Sequence, residues 1–211
     1  MIYQAIVVGF MMFLATHSNA ASFDCQKAKL ELEHTICNHE KLNQLDSELG
    51  TAYQNLLKKL AKSEAGQLQQ QQRRWLELRQ NHCDVKNPDC LITLYRQRVT
   101  TLEFRGSADY ASSPAGKLDG KYVAKNMELR VEALAPNTVF IRIEGAEPKS
   151  GKWTCDFSGE GKLQNNTVKI KALDDAFVTV TFRGATAEVN EGGTSLWCGM
   201  GGSLNGKYQK K

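Results

Sequence analysis

The chain has 211 residues and a formal net charge of +4, and loss of a short leader would leave about 190 residues, enough for two modest domains. Its charge is evenly spread: residues 21–105 carry 13 basic and 11 acidic side chains, and residues 106–211 carry 14 and 12. That excludes the basic stripe a nucleic-acid binder needs, the nearest approach being the single turn Gln72-Arg73-Arg74-Trp75.

Residues 1–20 contain no Asp, Glu, Lys or Arg, and the apolar run from Ala5 to Ala15, broken only by Gly9, is too short to cross a bilayer. It reads as a secretory signal peptide. Ser18 and Ala20 give the small-x-small pattern of a cleavage site, which places the cut after Ala20, with Ala21 as runner-up. Cys25 follows Ser22-Phe23-Asp24 and so does not stand at the cut, which argues against a lipoprotein anchor. The expected product is periplasmic or secreted, without a membrane anchor, in an oxidising compartment.

The composition then divides. Residues 21–105 are Leu- and Gln-rich and read as a helical domain; residues 106–117, rich in Gly, Ser, Ala and Pro, read as a linker; residues 118–211 alternate apolar and polar positions and read as antiparallel β structure. The expected fold class is α+β, a disulfide-bonded antiparallel helical hairpin or bundle followed by a barrel-like sheet.

In the helical part a short helix over 26–36 precedes Cys37. Leu42, Leu45, Leu49, Tyr53, Leu56 and Leu60 then recur at spacings of three and four and predict a helix over 41–62, with Asn38 as its cap. Ser63 can cap a second long helix with Leu68, Gln72, Trp75, Leu76 and Arg79 inward, and Pro88 can start a third carrying Leu91, Leu94, Tyr95, Arg98, Val99 and Leu102. Six cysteines in an exported chain imply three disulfides. A continuous helix over 26–36 would hold Cys25 and Cys37 roughly 18 Å apart, beyond the ~7 Å a disulfide spans. The hairpin argument pairs Cys37 with Cys83, elimination pairs Cys25 with Cys90, and Cys155 pairs with Cys198. His34, His39 and His82 lie near Cys37 and Cys83 in the sequence, but their spacing matches no zinc knuckle or finger, so neither a metal nor a cofactor is expected.

Asp46, Arg79 and Arg98 interrupt apolar stripes that also carry Trp75 and Tyr95, so Asp46 is expected to pair with Arg79 or Arg98 inside the bundle. No nucleophile stands at a recognisable spacing from a base, and the acids Asp84 and Asp89 read as loop residues, so no catalytic site is assigned and no enzyme is expected. Cys25, Ala28, Glu33, Ile36-Cys37, Leu42, Leu45-Asp46, Leu49, Tyr53, Gln72-x-x-Trp75-Leu76, Arg79, Cys83, Cys90-Leu91, Tyr95, Arg98 and Leu102 occur in the order seen in one family. Over Phe23 to Phe104 the chain resembles the LprI-type lysozyme-inhibitor domain. The resemblance implies a secreted bacterial helical domain that inhibits animal-type lysozyme.

In the second part, strands are expected over 127–134, 138–145, 153–157, 167–173, 177–182 and 185–190, with turns at Pro136-Asn137, Gln164-Asn165-Asn166 and Asp174-Asp175. Leu118-Asp119-Gly120-Lys121-Tyr122 recurs as Leu204-Asn205-Gly206-Lys207-Tyr208, and strands at these two places could pair and close a barrel of about eight strands. The outline is similar to the small barrels of periplasmic c-type lysozyme inhibitors, and Ser150, Lys152 and Trp153, around Gly151, are the nearest equivalent of their contact loop. The expected function is inhibition of c-type lysozyme by blocking its substrate cleft, with the helical domain as the main contact. The alternative is an envelope structural or adaptor protein. A basic lysozyme favours an acidic partner, and Glu144, Glu147, Asp174, Asp175, Glu188 and Glu191 are candidates for such a patch.

Overall fold

The computed structural model describes residues 21–172, 175–193 and 197–211; the expected leader 1–20, the end of the expected strand at Leu173 and the turn residue Asp174 lie outside the described residues. A 3-10 turn at Cys25–Lys27 leads into α1 (Glu31–Asn38), α2 (Glu40–Leu57), α3 (Lys62–His82) and α4 (Pro88–Arg105). The apolar spacing of α2 buries Leu42, Leu45, Leu49 and Leu56 against Leu91, Tyr95, Val99 and Leu102 of α4. On α3 only Leu68 and Arg79 are buried, so that Gln-rich helix is held mainly by side-chain contacts rather than by a wide apolar face.

Caps set the helix ends. His39, not Asn38, precedes α2, its Nδ1 accepting from the Leu42 amide at 3.4 Å. α2 stops at Leu57, where Lys59 N donates to Leu56 O and turns the chain. α3 is capped at Ala61, not Ser63, because the Glu64 carboxylate reaches back to the Ala61 amide at 3.1 Å.

The same local chemistry overturns two of the three expected disulfides. The expected helix over 26–36 does not form, because Glu33 Oε2 accepts from the amides of Lys29 at 2.7 Å and Leu30 at 3.0 Å and starts α1 only at Glu31. The chain folds back, and Cys25 bonds Cys37 with a Cα separation of 5.8 Å, not Cys90. Cys83 bonds Cys90, also at 5.8 Å, not Cys37. The loop between them is tightened by Asp84, whose carboxylate accepts from Lys86 N and whose carbonyl accepts from Asn87 N, just before Pro88 starts α4. Each bond therefore staples one short loop, and neither ties α2 to α3 or α4. Cys155 bonds Cys198.

Eight antiparallel strands among the described residues form a closed barrel: β1 (Gly120–Ala124), β2 (Met127–Ala135), β3 (Thr138–Ala146), β4 (Thr154–Gln164), β5 (Thr167–Lys171), β6 (Phe177–Arg183), β7 (Thr186–Gly192) and β8 (Gly206–Lys210). Closure is made by the recurring segments, with Tyr122 opposite Lys210 and Val123 opposite Gln209. β4 runs well beyond the expected 153–157, through Gly159 and Gly161. A Cβ at these positions would lie 2.6 Å from Ile170 Cγ2 and 2.5 Å from Val168 Cγ1, so only glycine lets the strand cross β5 this closely. Inward residues such as Tyr122, Ile141, Val180 and Tyr208 are fully buried and fill the interior.

The stretch read as a linker is folded. Pro114 starts α5 (Pro114–Leu118), Ser113 Oγ caps it by accepting from Gly116 N at 2.9 Å, and Ala115 is buried in the barrel core. Helix α4 packs directly on β2, so the helical domain sits against the outside of the barrel.

Candidate functional site

The residues singled out in the helical stripes meet where α2, α3 and α4 converge. Tyr95 donates from its hydroxyl to Asp46 Oδ1 at 2.7 Å, and Arg79 Nη1 donates to that hydroxyl and stands 3.7 Å from the same carboxylate oxygen. Burial holds the Tyr95 hydroxyl far above the ordinary tyrosine range, so it keeps its proton and remains a donor. Trp75 meets the Tyr95 ring edge-on at 5.2 Å, and the Arg79 guanidinium lies within 5.6 Å of both ring centroids. Asp46 is 3% exposed. Its second oxygen, Oδ2, accepts from Ser22 N at 2.7 Å and Ser22 Oγ at 2.5 Å. With no disulfide joining α2 to its partners, this clasp fixes their register, and opening one side would strand a buried charge.

Arg98 is not part of the clasp. It points to the barrel, with Nη1 at 2.6 Å from Glu132 Oε1 on β2 and Nε donating to Gln72 on α3 at 3.1 Å. Arg105, at the end of α4, lies 3.6 Å from Asp119 and 3.8 Å from Glu132 and donates to Gln71 at 2.6 Å. Burial raises the Asp119 carboxyl above its usual range, and Arg105 opposes that shift. The two parts thus meet through desolvated ion pairs. The sequence reading missed Ser22, Gln71, Arg105, Asp119 and Glu132. The one available signal was the Asp119/Asn205 difference between the two recurring segments.

Ser150, Lys152 and Trp153 lie in the β3–β4 loop. Glu147 closes it: its carboxylate accepts from Lys149 N at 3.1 Å, Ser150 N at 2.5 Å and Ser150 Oγ at 2.6 Å, and these Ser150 bonds hold its carboxyl below the usual range. Lys152 is exposed, and Trp153 is half-buried against Gly199 and Gly202 beside the Cys155–Cys198 bond. Of the expected acidic patch, Glu144 pairs with Arg142 at 2.8 Å and Glu188 lies 3.8 Å from Arg183. The histidines do not gather: His39 caps α2, and His34 and His82 are exposed. Among the described residues no three His, Cys, Asp or Glu side chains are placed to hold a metal, and no helix is long and apolar enough to cross a membrane.

Residues 24–102 match the protein-family model described as lysozyme inhibitor LprI. The match takes in Asp46, Trp75, Arg79, Tyr95 and the four cysteines of the two loop staples, and it ends before Arg105 and the barrel. No curated protein and no solved structure matches the chain.

Proposed function

From the LprI-type lysozyme-inhibitor domain that occupies residues 24–102, we propose that this chain is exported and inhibits a c-type lysozyme, its helical domain covering the enzyme's sugar-binding cleft. The observation that carries this reading is the coincidence of the family match with the clasped helical unit. Charge supports the choice of half. Residues 21–57 hold 3 basic and 6 acidic side chains, whereas residues 58–105 hold 10 and 5. Arg98 and Arg105 of the more basic segment are turned toward Glu132 and Asp119 of the barrel, while Glu31 and Glu40 of the more acidic segment are exposed and open to a basic enzyme. The Ser150 hydroxyl and amide are spent on Glu147 within their own loop, so the barrel loop is a poor competitor for the role.

The test is lysis of bacterial cell walls by a c-type lysozyme in the presence of the chain from Ala21 onward. Inhibition should fall at least tenfold in Glu31→Lys/Glu40→Lys and stay within twofold in Ser150→Ala. The reverse pattern moves the contact to the barrel loop. No inhibition by the unaltered chain rejects the lysozyme reading in favour of an envelope adaptor.

A further inference from the structure

In the middle of α2 stands Gly50, a residue type that weakens a helix interior more than any but proline. It lies one turn beyond Asp46, on the same face. A Cβ at Gly50 would lie 3.0 Å from the Ser22 Cβ. The missing side chain is therefore a slot, and Ser22 occupies its mouth. From that slot Ser22 reaches back to Asp46 Oδ2 with both its amide and its hydroxyl. On one side of it Ala21 is buried in the helical core at 8% exposure; on the other Phe23 packs against that core, Asp24 caps the first turn, and Cys25 is tied to Cys37. Ser22 itself faces solvent while the carboxylate beneath it does not.

We propose that the mature chain begins at Ala21, and that this new end is a built part of the helical domain, docked in the Gly50 slot to shield Asp46 from water. Ala21 and Ser22 precede the residues matched to the family. Cleavage after Ala21 would discard a buried methyl, and cleavage any later would remove both donors to Oδ2. The placement of the cut rests on the export reading above; the docking of the strap does not.

Two measurements separate these. The intact mass of the product exported from the full-length chain by a bacterial host should correspond to a start at Ala21. A start at Ser22 or beyond overturns the proposed cut, and a product that keeps residues 1–20 overturns the export reading as well. Docking is read on chains made to begin at Ala21 or at Phe23, each with and without Gly50→Ala. Loss of Ala21 and Ser22 should lower the melting temperature by about 4 to 8 °C. In the shortened chain Gly50→Ala should raise it by about 3 to 6 °C through helix propensity. In the chain that begins at Ala21 the same substitution should give no rise, because the new methyl meets Ser22. Equal gains in both chains, or no loss on removing Ala21 and Ser22, would overturn the docked strap.

Discussion

In the helical domain, α2 and α4 meet around a carboxylate that takes four contacts from three directions, namely the Tyr95 hydroxyl, the Arg79 guanidinium, and the Ser22 amide and hydroxyl. The barrel interior is filled instead by aliphatic and aromatic side chains. Its two buried tyrosines, each pushed up to about 12 by burial, donate to carbonyls of their own segments, Tyr122 to Leu118 at 2.9 Å and Tyr208 to Leu204 at 2.8 Å. The recurring segments extend the comparison. Asp119 Oδ2 accepts from Ala133 N and Asn205 Oδ1 accepts from Glu191 N, so the same position seals the barrel at both ends. A neutral amide suffices at Asn205. The charge at Asp119 serves Arg105 of α4, outside the barrel. A polar clasp set in the leucine-rich core of the helical domain concentrates stability in a few atoms, whereas a wholly apolar interior spreads it over many contacts.

The comparison is broken most sharply at Asp46. Asp46→Ala should cost the helical domain about 3 to 5 kcal/mol by leaving Arg79 buried without its counter-charge. Ile141→Val in the barrel should cost about 0.5 to 1.5 kcal/mol. Denaturant unfolding followed by helix and near-ultraviolet signals measures both, and similar losses would mean that the clasp holds no more than an ordinary core contact. Asp119→Asn sharpens it further. Because Asn205 does the same sealing uncharged, the barrel signal should shift by less than about 0.5 kcal/mol. The helical signal should lose about 1 to 2 kcal/mol, since Arg105 then keeps Glu132 at 3.8 Å as counter-charge beside the neutral Gln71. An equal shift in both signals would make Asp119 a barrel residue alone.

The element types were legible because they rest on period: 3.6 residues through Leu42, Leu45, Leu49 and Leu56, and two residues along β2, β3 and β6. Element ends were not, because they are decided by single side chains. Glu33, His39 and Glu64 each cap a start that propensity alone places elsewhere. The first of these also decided the disulfides, since the fold-back at Lys29 and Leu30 made Cys37 reachable from Cys25. The extent of β4 was hidden because Gly159 and Gly161 look like breakers until Val168 and Ile170 are seen to crowd them. Asp46 and Arg79 were visible as charges on apolar stripes. Ser22 was not, because it lies outside any periodic segment and its role depends on a gap one turn past Asp46. Nor was the partner of Arg98, because the chain reads as two separate units and nothing in the helical pattern points to β2.

The helical domain is proposed to contact lysozyme through its more acidic segment, residues 21–57. Amide hydrogen exchange of the chain from Ala21 onward, with and without a c-type lysozyme, tests it directly. Added protection is expected within residues 24–57 and none at residues 147–153. Protection confined to residues 147–153 and the neighbouring Gly199–Gly202 loop, with residues 24–57 unchanged, would contradict it.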